Sequence, residues 1–217
     1  MKYLIITKKI WNKKNFVNLG KKIVIKKNLN LKFIKKMSPK IIFFIHWSKM
    51  ISPDIYNKFL CIQFHSSDLP KFRGGSPIQN QILRGIKKTK ISAFKLNSNL
   101  DSGSICIKKN LNLNGSASKI YVSMEKKSVQ MIKQIICMKK INFKPQKGKP
   151  SIFKRLQKKD SEIKKNKIKS INDFYNIIRM LDAKGYPSAN IKFKKFKINF
   201  LNVKKNIKIL YGKFKIQ

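Results

Sequence analysis

Two residues with acid–base side chains, His65 and Asp101, stand out in a chain that is otherwise rich in Lys, Asn, Ile and Phe. His65 follows the apolar run of residues 60–64, and Asp101 lies in a Leu-Asp-Ser-Gly turn. A neutral imidazole can accept a proton near pH 7, and a carboxylate can hold and orient that ring. Because the chain has only 8 Asp and Glu residues, this Asp is poorly explained as surface filler. We therefore predict that His65 and Asp101 form a catalytic pair.

Other chemistries are disfavoured around this histidine. Ser66 and Ser67 follow it directly, but neither lies in the Gly-x-Ser-x-Gly turn that exposes a nucleophilic serine, which argues against covalent catalysis. A total of 2 His residues and few acids argues against a metal site. The glycines of Arg73-Gly74-Gly75 allow close backbone approach and offer amides to an anion or a carbonyl, although a plain tight turn explains them equally well.

Short apolar runs separated by helix-length spacers predict the elements that position the histidines. These runs lie at residues 3–6, 23–25, 40–45 and 60–64. Their spacing favours strands of a parallel sheet with helices between them. His46-Trp47-Ser48 follows the third run, and His65 follows the fourth. Because ligands bind at the carboxyl ends of strands in open α/β sheets, we expect both histidines at one ligand-binding edge.

Helix and strand signals continue along the rest of the chain. The expected elements are helices opened by Ser52-Pro53 and Ser76-Pro77, strands at 90–96 and 104–108, a helix at 119–139 that packs on the core, a helix from the capping box Ser170-x-x-Asp173, and a small antiparallel sheet at 191–216. The expected fold class is α/β, a Rossmann-like, mostly parallel sheet flanked by helices with a small β-rich C-terminal extension. We expect a catalytic domain at 1–142, a linker at 143–150 and an α+β extension at 151–217.

The net charge is extreme, because 52 Lys and Arg residues stand against 8 Asp and Glu residues and give +44. Dense positive charge suits nucleic-acid binding, since it attracts phosphate backbones without reading sequence. A binding footprint would cluster on one face or tail, whereas these lysines spread through every segment. We therefore favour compositional bias as the origin of the charge. In either case the positive electrostatic field of the protein favours anionic ligands such as phosphates or polyglutamates.

Cysteine usage and hydropathy predict a cytoplasmic protein that does not engage a membrane. The 3 cysteines are widely spaced and contain no Cys-x-x-Cys pair, which argues against a disulfide framework and a zinc site. The longest apolar run, residues 41–45, is far too short to span a bilayer. The N-terminal stretch also lacks the pattern of a signal peptide.

The motif-rich block carries a family resemblance. Its motifs are His65-Ser66-Ser67-Asp68-Leu69-Pro70, Arg73-Gly74-Gly75-Ser76-Pro77-Ile78-Gln79 and Leu100-Asp101-Ser102-Gly103. Together they resemble the formyltransferases that use 10-formyltetrahydrofolate, which include methionyl-tRNA, glycinamide ribonucleotide and nucleotide-sugar N-formyltransferases. The resemblance extends to residues 42–59, which look like a folate-pocket segment. It also extends to residues 174–189, whose Gly-Tyr-Pro looks like that of sugar-modifying members.

The resemblance implies an Asn, a His and an Asp as catalytic residues. His65 and Asp101 match the last two, and the Asn position holds Gln63 in this chain. Gln keeps the amide donor but places it one methylene further from the backbone. The implied contacts with the donor co-substrate, 10-formyltetrahydrofolate, are made by His46, Trp47, Ser48, Leu69 and Pro70. The implied contacts with the acceptor are made by Arg73, Gly74, Gly75, Ser76, Pro77 and Gln79.

The implied reaction is direct transfer without a metal. A neutral amine attacks the formyl carbon, while His65 accepts a proton or stabilises the oxyanion and Asp101 orients the ring. The Arg-Gly-Gly-Ser-Pro and Gly-Tyr-Pro motifs favour the amine of a nucleotide-linked amino sugar. The alternative is methionyl-tRNA, the one case in which a nucleic acid is a partner. A homodimer is left open.

A basic RNA- or polyanion-binding protein on a decayed catalytic scaffold is the alternative from a different class. Aromatic residues alternate with Lys between Phe193 and Phe214, an arrangement that can stack bases. Alternation at the strand period explains these aromatics better as core. Salt-sensitive RNA binding without folate would favour this alternative, whereas tight folate binding would count against it.

Overall fold

The computed structural model describes residues 2–17 and 19–217. Its strands and α-helices are, in chain order, β1 (Tyr3–Thr7), β2 (Ile23–Lys26), α1 (Leu31–Met37), β3 (Ile41–Ile45), α2 (Pro53–Tyr56), β4 (Cys61–His65), β5 (Arg73–Gly74), α3 (Pro77–Leu83), β6 (Lys88–Lys95), β7 (Ile105–Asn112), α4 (Ala117–Cys137), β8 (Ile152–Phe153), α5 (Ile171–Arg179), β9 (Asn190–Phe193), β10 (Phe196–Lys205) and β11 (Leu210–Ile216). Short 3-10 helices span Lys13–Phe16, Lys158–Ser161 and Lys165–Lys167.

A six-stranded sheet in the order β2-β1-β3-β4-β6-β7 positions the two histidines. Strands β1 to β4 pair in parallel, whereas β6 is antiparallel to both β4 and β7. The parallel pairing of β3 and β4 places His46 and His65 at the same edge, as the sequence predicts. The expected α/β class with a mostly parallel sheet is therefore confirmed.

Both faces of this sheet are buried, because alternate residues of each strand point to opposite layers. On one face, Ile5, Phe43 and Ile62 pack with apolar residues of α3, α4 and α5. On the other face, Leu4 and Phe44 pack with residues of α1 and α2. The near-continuous apolar runs of the sequence thus correspond to strands enclosed between two helical layers.

The chain ends in a small antiparallel sheet, which confirms the expected β-rich extension. Strand β10 pairs with β9 on one side and with β11 on the other. Helix α5 begins at the expected capping box, where the Ser170 hydroxyl accepts a hydrogen bond from the Asp173 N–H. Within residues 2–17 and 19–217, no helix combines the length and apolar character needed to cross a membrane.

Ser76 departs from the N-cap role that its Ser-Pro signature predicts. It lies in the left-handed region with a φ of 50°, and its side chain makes no capping hydrogen bond to α3. Its hydroxyl instead accepts a hydrogen bond of 3.1 Å from the Leu156 N–H. The reason is tertiary, since the segment after β8 runs alongside and takes this acceptor. Ser52, which has no such neighbour, caps α2 as predicted.

A buried carboxylate holds the loop that follows β1. Glu125, in the middle of α4, is fully buried. Its oxygens accept hydrogen bonds from the backbone N–H groups of Trp11 at 2.8 Å and Asn12 at 2.9 Å. The side-chain amide of Asn15 donates a third bond at 2.8 Å. This loop therefore keeps one conformation at the edge where the histidines lie.

Replacing this carboxylate should destabilise the fold more than replacing an exposed one. Glu125→Ala leaves the part-buried backbone N–H groups of Trp11 and Asn12 without acceptors, so we expect a loss of about 1–3 kcal/mol in the free energy of unfolding. Glu162→Ala removes only a part-exposed ion pair with Lys192, and the expected loss is below about 1 kcal/mol. Urea unfolding followed by tryptophan fluorescence measures both, and equal losses would contradict the role assigned to Glu125.

Candidate active site

A cleft of about 1150 Å³ opens where β3 and β4 end. Its walls come from those strand ends, from the β6–β7 loop and from the segments before α3 and after β8. The cleft lining includes the predicted site residues His46, Trp47, Ser48, Gln63, His65, Gly74, Gly75, Ser76, Pro77, Gln79 and Asp101. Most of the residues that the sequence singles out are therefore brought together in one place.

His65 and Asp101 form a buried pair in the wall of this cleft, with exposed fractions of 6% and 8%. Nδ1 of His65 lies 3.5 Å from Oδ2 of Asp101. The same oxygen accepts a hydrogen bond of 2.8 Å from the backbone N–H of Gly74. On the other side of the ring, Nε2 of His65 lies 2.6 Å from the carbonyl oxygen of Phe72. Both residues are thus held from two sides.

These contacts constrain where protons lie. A carbonyl oxygen can only accept, so Nε2 of His65 carries a hydrogen and donates it to Phe72. Nδ1 then presents either a lone pair or, in the imidazolium, a second N–H to Asp101. An N–H facing a carboxylate is the favourable arrangement. A proton taken up during a reaction can therefore lie between Nδ1 of His65 and the Asp101 carboxylate.

Asp101 reaches His65 because the β6–β7 loop folds back along the sheet. This loop begins beside the start of β4, since Lys95 pairs with Ile62 near the beginning of that strand. Asp101 itself lies in the left-handed region with a φ of 46°. A Cβ at Gly103 would lie 1.7 Å from the Lys95 carbonyl oxygen. The loop can therefore pass this close to β6 only with glycine at position 103.

Gln63 lies two residues before His65 on β4, so both side chains project from the same face of the strand. Gln63 is half-buried and lines the cleft. Among the residues that the structure describes, the Gln63 side-chain amide makes no hydrogen bond. The amide N–H is therefore available to a ligand oxygen beside the imidazole.

His46, at the end of β3, has a different environment from His65. Its ring meets those of Trp11 and Tyr121 edge-on, with centroid distances of 6.3 and 5.9 Å. Burial, together with the positive charge of Lys9, lowers the pKa of His46 to about 4, so the ring is neutral at pH 7. Among the residues described, Nε2 of His46 and Nε1 of Trp47 are buried without a hydrogen-bond partner.

Tyr121 shows where the sequence interpretation was too narrow. It packs in the core as predicted, but it also lines the cleft. Its hydroxyl accepts hydrogen bonds from the Gln79 amide at 2.7 Å and from the Tyr186 hydroxyl at 2.8 Å. Trp11 stacks on its ring at 4.6 Å. The sequence signal was a tyrosine in an otherwise aliphatic stripe, since a buried tyrosine hydroxyl needs a partner.

Leu69, Pro70 and Arg73, which the resemblance assigns to ligand contacts, lie outside the described lining of the cleft. Leu69 is buried, and its N–H donates to the Ser92 hydroxyl. The guanidinium of Arg73 donates two hydrogen bonds to the side-chain oxygen of Gln146, at 3.2 and 2.7 Å. In the structure, Leu69 and Arg73 hold the turn between β4 and α3, and the ligand contacts of all three residues stay predictions.

Metal-ligating side chains are dispersed. Over residues 2–17 and 19–217, no three His, Cys, Asp or Glu side chains come together where they could hold a metal ion. Cys61, Cys106 and Cys137 are free thiols. Burial raises the pKa of Cys61 to about 12 and that of Cys106 to about 11. Both stay in the less reactive thiol form at pH 7.

The lowered pKa of His46 should make the fold sensitive to mild acid. An unfolded histidine titrates near pH 6.5, whereas folded His46 stays neutral down to about pH 4. Between these values the unfolded chain binds a proton that the folded chain does not, so stability falls as pH falls. We expect a loss of about 1–2 kcal/mol from this group between about pH 6.5 and 5.

Urea unfolding at several pH values measures this loss. His46 has a φ of 51°, which Asn tolerates. His46→Asn should therefore remove the share of the pH dependence that comes from His46. An NMR titration in which the His46 ring protonates near pH 6.5 would contradict the assignment.

Comparisons with known families and structures agree with this geometry. Residues 6–136 match the family described as formyl transferase. Residues 158–217 match the one described as methionyl-tRNA formyltransferase, C-terminal domain. The first match covers most of the main sheet and its helices, and the second covers most of the β-rich extension.

Individual relatives give the same result. Methionyl-tRNA formyltransferase from Thermosipho melanesiensis is 28% identical over 167 residues, which cover 76% of this chain and 54% of the relative. The structure of methionyl-tRNA formyltransferase from Clostridium thermocellum is 36% identical with a TM-score of 0.93, covering 100% of this chain and 99% of that one. A sugar N-formyltransferase structure from a Shewanella species shares the fold, with 16% identity, a TM-score of 0.74 and coverage of 96% and 99%.

The chain spans between about half and three fifths of the length of the curated relatives. The formyl transferase match nevertheless covers more than half of the chain, and it contains the His65–Asp101 pair and most of the residues that line its cleft. This chain therefore belongs to the formyl transferase family.

Proposed function

We propose that this chain transfers a formyl group from 10-formyltetrahydrofolate to the amine of methionyl-tRNA. The observation that carries the proposal is the buried His65–Asp101 pair, with atoms 3.5 Å apart in the wall of a large cleft. Such a pair can accept the proton that an attacking amine must lose and return it to the leaving group. Membership of the formyl transferase family selects formyl transfer among the reactions that need this chemistry.

The cleft suits a folate donor together with an acceptor. Its volume of about 1150 Å³ exceeds the roughly 300–1,000 Å³ of pockets that hold one drug-sized molecule. Trp47, Met50 and Tyr56 offer apolar and aromatic surface to a flat ring. The rings of His46 and Trp47 line the same part of the cleft. Lys49 in the same wall can attract the carboxylates of the glutamate tail.

The reaction moves one carbon and one proton. The lone pair of the neutral acceptor amine attacks the formyl carbon, and negative charge develops on the formyl oxygen as the new C–N bond forms. The Gln63 amide N–H stabilises that charge, and one such donor is typically worth about 3 kcal/mol. The His65–Asp101 pair takes the proton from the amine nitrogen. As the bond to N10 breaks, the pair gives the proton to N10 of the departing tetrahydrofolate.

Asp101 is the member of the pair that can contact the amine. Its Oδ2 is occupied by the Gly74 N–H and faces His65. Its Oδ1 has no hydrogen bond to any residue that the structure describes. We therefore assign proton acceptance to Oδ1 of Asp101. His65 holds the Asp101 carboxylate in place and balances the change in its charge as the proton arrives and leaves.

Methionyl-tRNA is preferred over the nucleotide-linked amino sugar that the sequence motifs alone favour. The C-terminal match and the full-length similarity both involve methionyl-tRNA formyltransferases, whereas the sugar N-formyltransferases are similar at the level of the fold. A net charge of +44 also suits a polyanionic acceptor. The amino sugar stays the second candidate, supported by the Gly185-Tyr186-Pro187 motif, whose tyrosine lines the cleft.

The domain division follows as part of this proposal. We keep residues 1–142 as the catalytic domain and 151–217 as the extension. Arg155 and Tyr186 of the extension line the same cleft as the catalytic pair. The segment 143–150, expected to be a linker, is tied to the catalytic part by hydrogen bonds of Gln146. The two parts are therefore expected to build the acceptor site jointly.

Transfer of labelled formyl from 10-formyltetrahydrofolate to methionyl-tRNA tests the proposal. Asp101→Asn keeps the side-chain size but removes the proton acceptor, and His65→Asn removes the ring that holds this carboxylate, so we expect kcat to fall about 10²–10⁴-fold in each variant. Asp68→Asn is the matched control, because Asp68 is part-exposed and pairs with Lys90 and Lys108 outside the cleft. Its activity should stay within about two-fold of wild type.

The alternatives give different outcomes in the same assay. Transfer to 4-amino-sugar nucleotides but not to methionyl-tRNA would reassign the acceptor and keep the chemistry. Failure to bind folate, combined with salt-sensitive RNA binding, would show that the protein binds polyanions and is not a formyltransferase. Equal activity of His65→Asn and wild type would show that the His65–Asp101 pair takes no part in the reaction.

Gln63 should act through its N–H rather than through its carbonyl. Gln63→Glu has the same length but no donor, so we expect kcat to fall about 10²–10³-fold. Gln63→Asn keeps the donor and withdraws it by one methylene, so a loss within about 10-fold is expected. Steady-state kcat separates the two variants, and wild-type turnover by Gln63→Glu would rule out an oxyanion role.

A further inference from the structure

We infer that Gln146 is a positioning residue, which holds the Asp101 turn against the Arg73–Gly74 strand and thereby fixes the carboxylate beside His65. This inference rests on the proposed formyl transfer. Gln146 lies outside the described lining of the cleft, so it acts through Asp101 and not on a substrate.

A single amide group joins three separate parts of the chain. The side-chain oxygen of Gln146 accepts hydrogen bonds from Nε and Nη2 of Arg73, at 3.2 and 2.7 Å. Its nitrogen donates to the carbonyl oxygens of Asp101 at 2.8 Å and Gly103 at 2.9 Å. The carbonyl groups on both sides of Ser102 are thus held by one group.

These contacts use the full hydrogen-bonding capacity of a primary amide, which has two N–H donors and two acceptor lone pairs. A carboxylate at position 146 would serve Arg73 but would repel the two carbonyl oxygens. An ammonium group would serve the carbonyls but would repel Arg73. Asn would have the correct groups on a side chain that is one methylene too short. The chemistry at this position is therefore specific to glutamine.

The turn at residues 101–103 needs contacts from elsewhere in the chain, because its own residues stabilise its conformation only weakly. Asp101 has a φ of 46°, a conformation that costs energy for a residue other than glycine. Gly103 has no side chain to anchor it. The hydroxyl of Ser102 bonds to exposed loop groups at Asn97 and Asn99. The Gln146 amide accordingly holds the backbone of this turn, while the Gly74 N–H holds the Asp101 carboxylate.

The same amide also supports the donor that holds the Asp101 carboxylate. Arg73 directly precedes Gly74, whose N–H donates to Oδ2 of Asp101 at 2.8 Å. By binding Arg73 on one side and the Asp101 backbone on the other, Gln146 fixes both ends of this hydrogen bond. Gln146 itself is anchored nearby, since Lys144 and Ile105 exchange two backbone hydrogen bonds at 2.7 and 2.9 Å.

Positioning and simple structural support predict different kinetics. If Gln146 only strengthens the fold, its removal lowers stability and leaves the turnover of the folded enzyme unchanged. If it positions Asp101, kcat falls while KM for donor and acceptor changes little, because the cleft walls that bind them stay intact. Misplacing a catalytic group by about 1 Å costs up to about 100-fold in rate.

The test compares Gln146→Glu and Gln146→Met with wild type in the formyl-transfer assay. We expect both variants to lose roughly 10- to 100-fold in kcat, with each KM within about three-fold of wild type. Gln130→Glu is the matched control for charge, since Gln130 is exposed on α4 and accepts a hydrogen bond from Lys109. Its kcat should equal that of wild type. Wild-type kcat in Gln146→Glu and Gln146→Met would overturn the inference.

A double-mutant cycle tests whether the effect passes through Asp101. Adding Gln146→Met to Asp101→Asn should lower kcat no further, because the group being positioned is already lost. A further loss as large as in the wild-type background would overturn the inference.

Hydrogen exchange separates failure of this inference from failure of the proposed function. In Gln146→Met, amides of residues 73–75 and 99–104 should exchange at least about ten-fold faster, while the core strands keep their protection. If wild type transfers no formyl group, the proposed function fails, and this measurement still decides whether Gln146 holds the Asp101 turn. Unchanged protection of both segments would overturn the inference.

Discussion

The hydrogen bond from the Gly74 N–H to the Asp101 carboxylate is the contact on which the site depends, because it joins segments that the main sheet does not bring together. Strand β4 places His65, whereas Asp101 lies in a loop that begins beside the opposite end of that strand. A Cβ at Gly74 would lie 2.4 Å from the Phe153 carbonyl oxygen. Strand β5 can therefore pair with β8, and present its N–H to the acid, only with glycine at this position. The His65–Asp101 pair thus depends on two segments far apart in the chain, β5 and β8.

The few acidic residues are concentrated at such contacts. In the part of the chain that the structure describes, the side chains of Asp101 and Glu125 accept part-buried hydrogen bonds from backbone N–H groups. The Asp173 carboxylate accepts hydrogen bonds from the Lys169 N–H and the Ser170 hydroxyl at the start of α5. The others accept from, or pair with, defined neighbours, namely Asp54, Asp68, Asp160, Glu162 and Asp182. The charge imbalance therefore comes from an excess of lysines on the surface and not from a lack of acids where the fold needs them. The resulting field attracts polyanions whatever the origin of the composition.

Features set by neighbouring residues could be predicted from the sequence, and features set by distant contacts could not. Strands β1 to β4 follow from apolar runs, and the α5 N-terminus follows from its capping box. The roles of Glu125 and Gln146 escaped prediction because their partners are more than 40 positions away or come from several segments. Ser76 shows the same limit, since its Ser-Pro signature is local but its hydroxyl is taken by Leu156. His65 and Asp101 were found because their residue types are rare in this chain.

The extension, residues 151–217, supplies part of the cleft wall, so its attachment matters to the acceptor site proposed above. Arg179 of α5 donates to the carbonyl oxygens of Leu113 and Gly115 just before α4. The Tyr186 hydroxyl bonds to Tyr121 inside the cleft. The ends of β3 and β4 and the extension both contribute lining residues. Because function depends on the residues of a site and not on the fold, similarity of fold alone does not decide between a tRNA and a sugar as the acceptor.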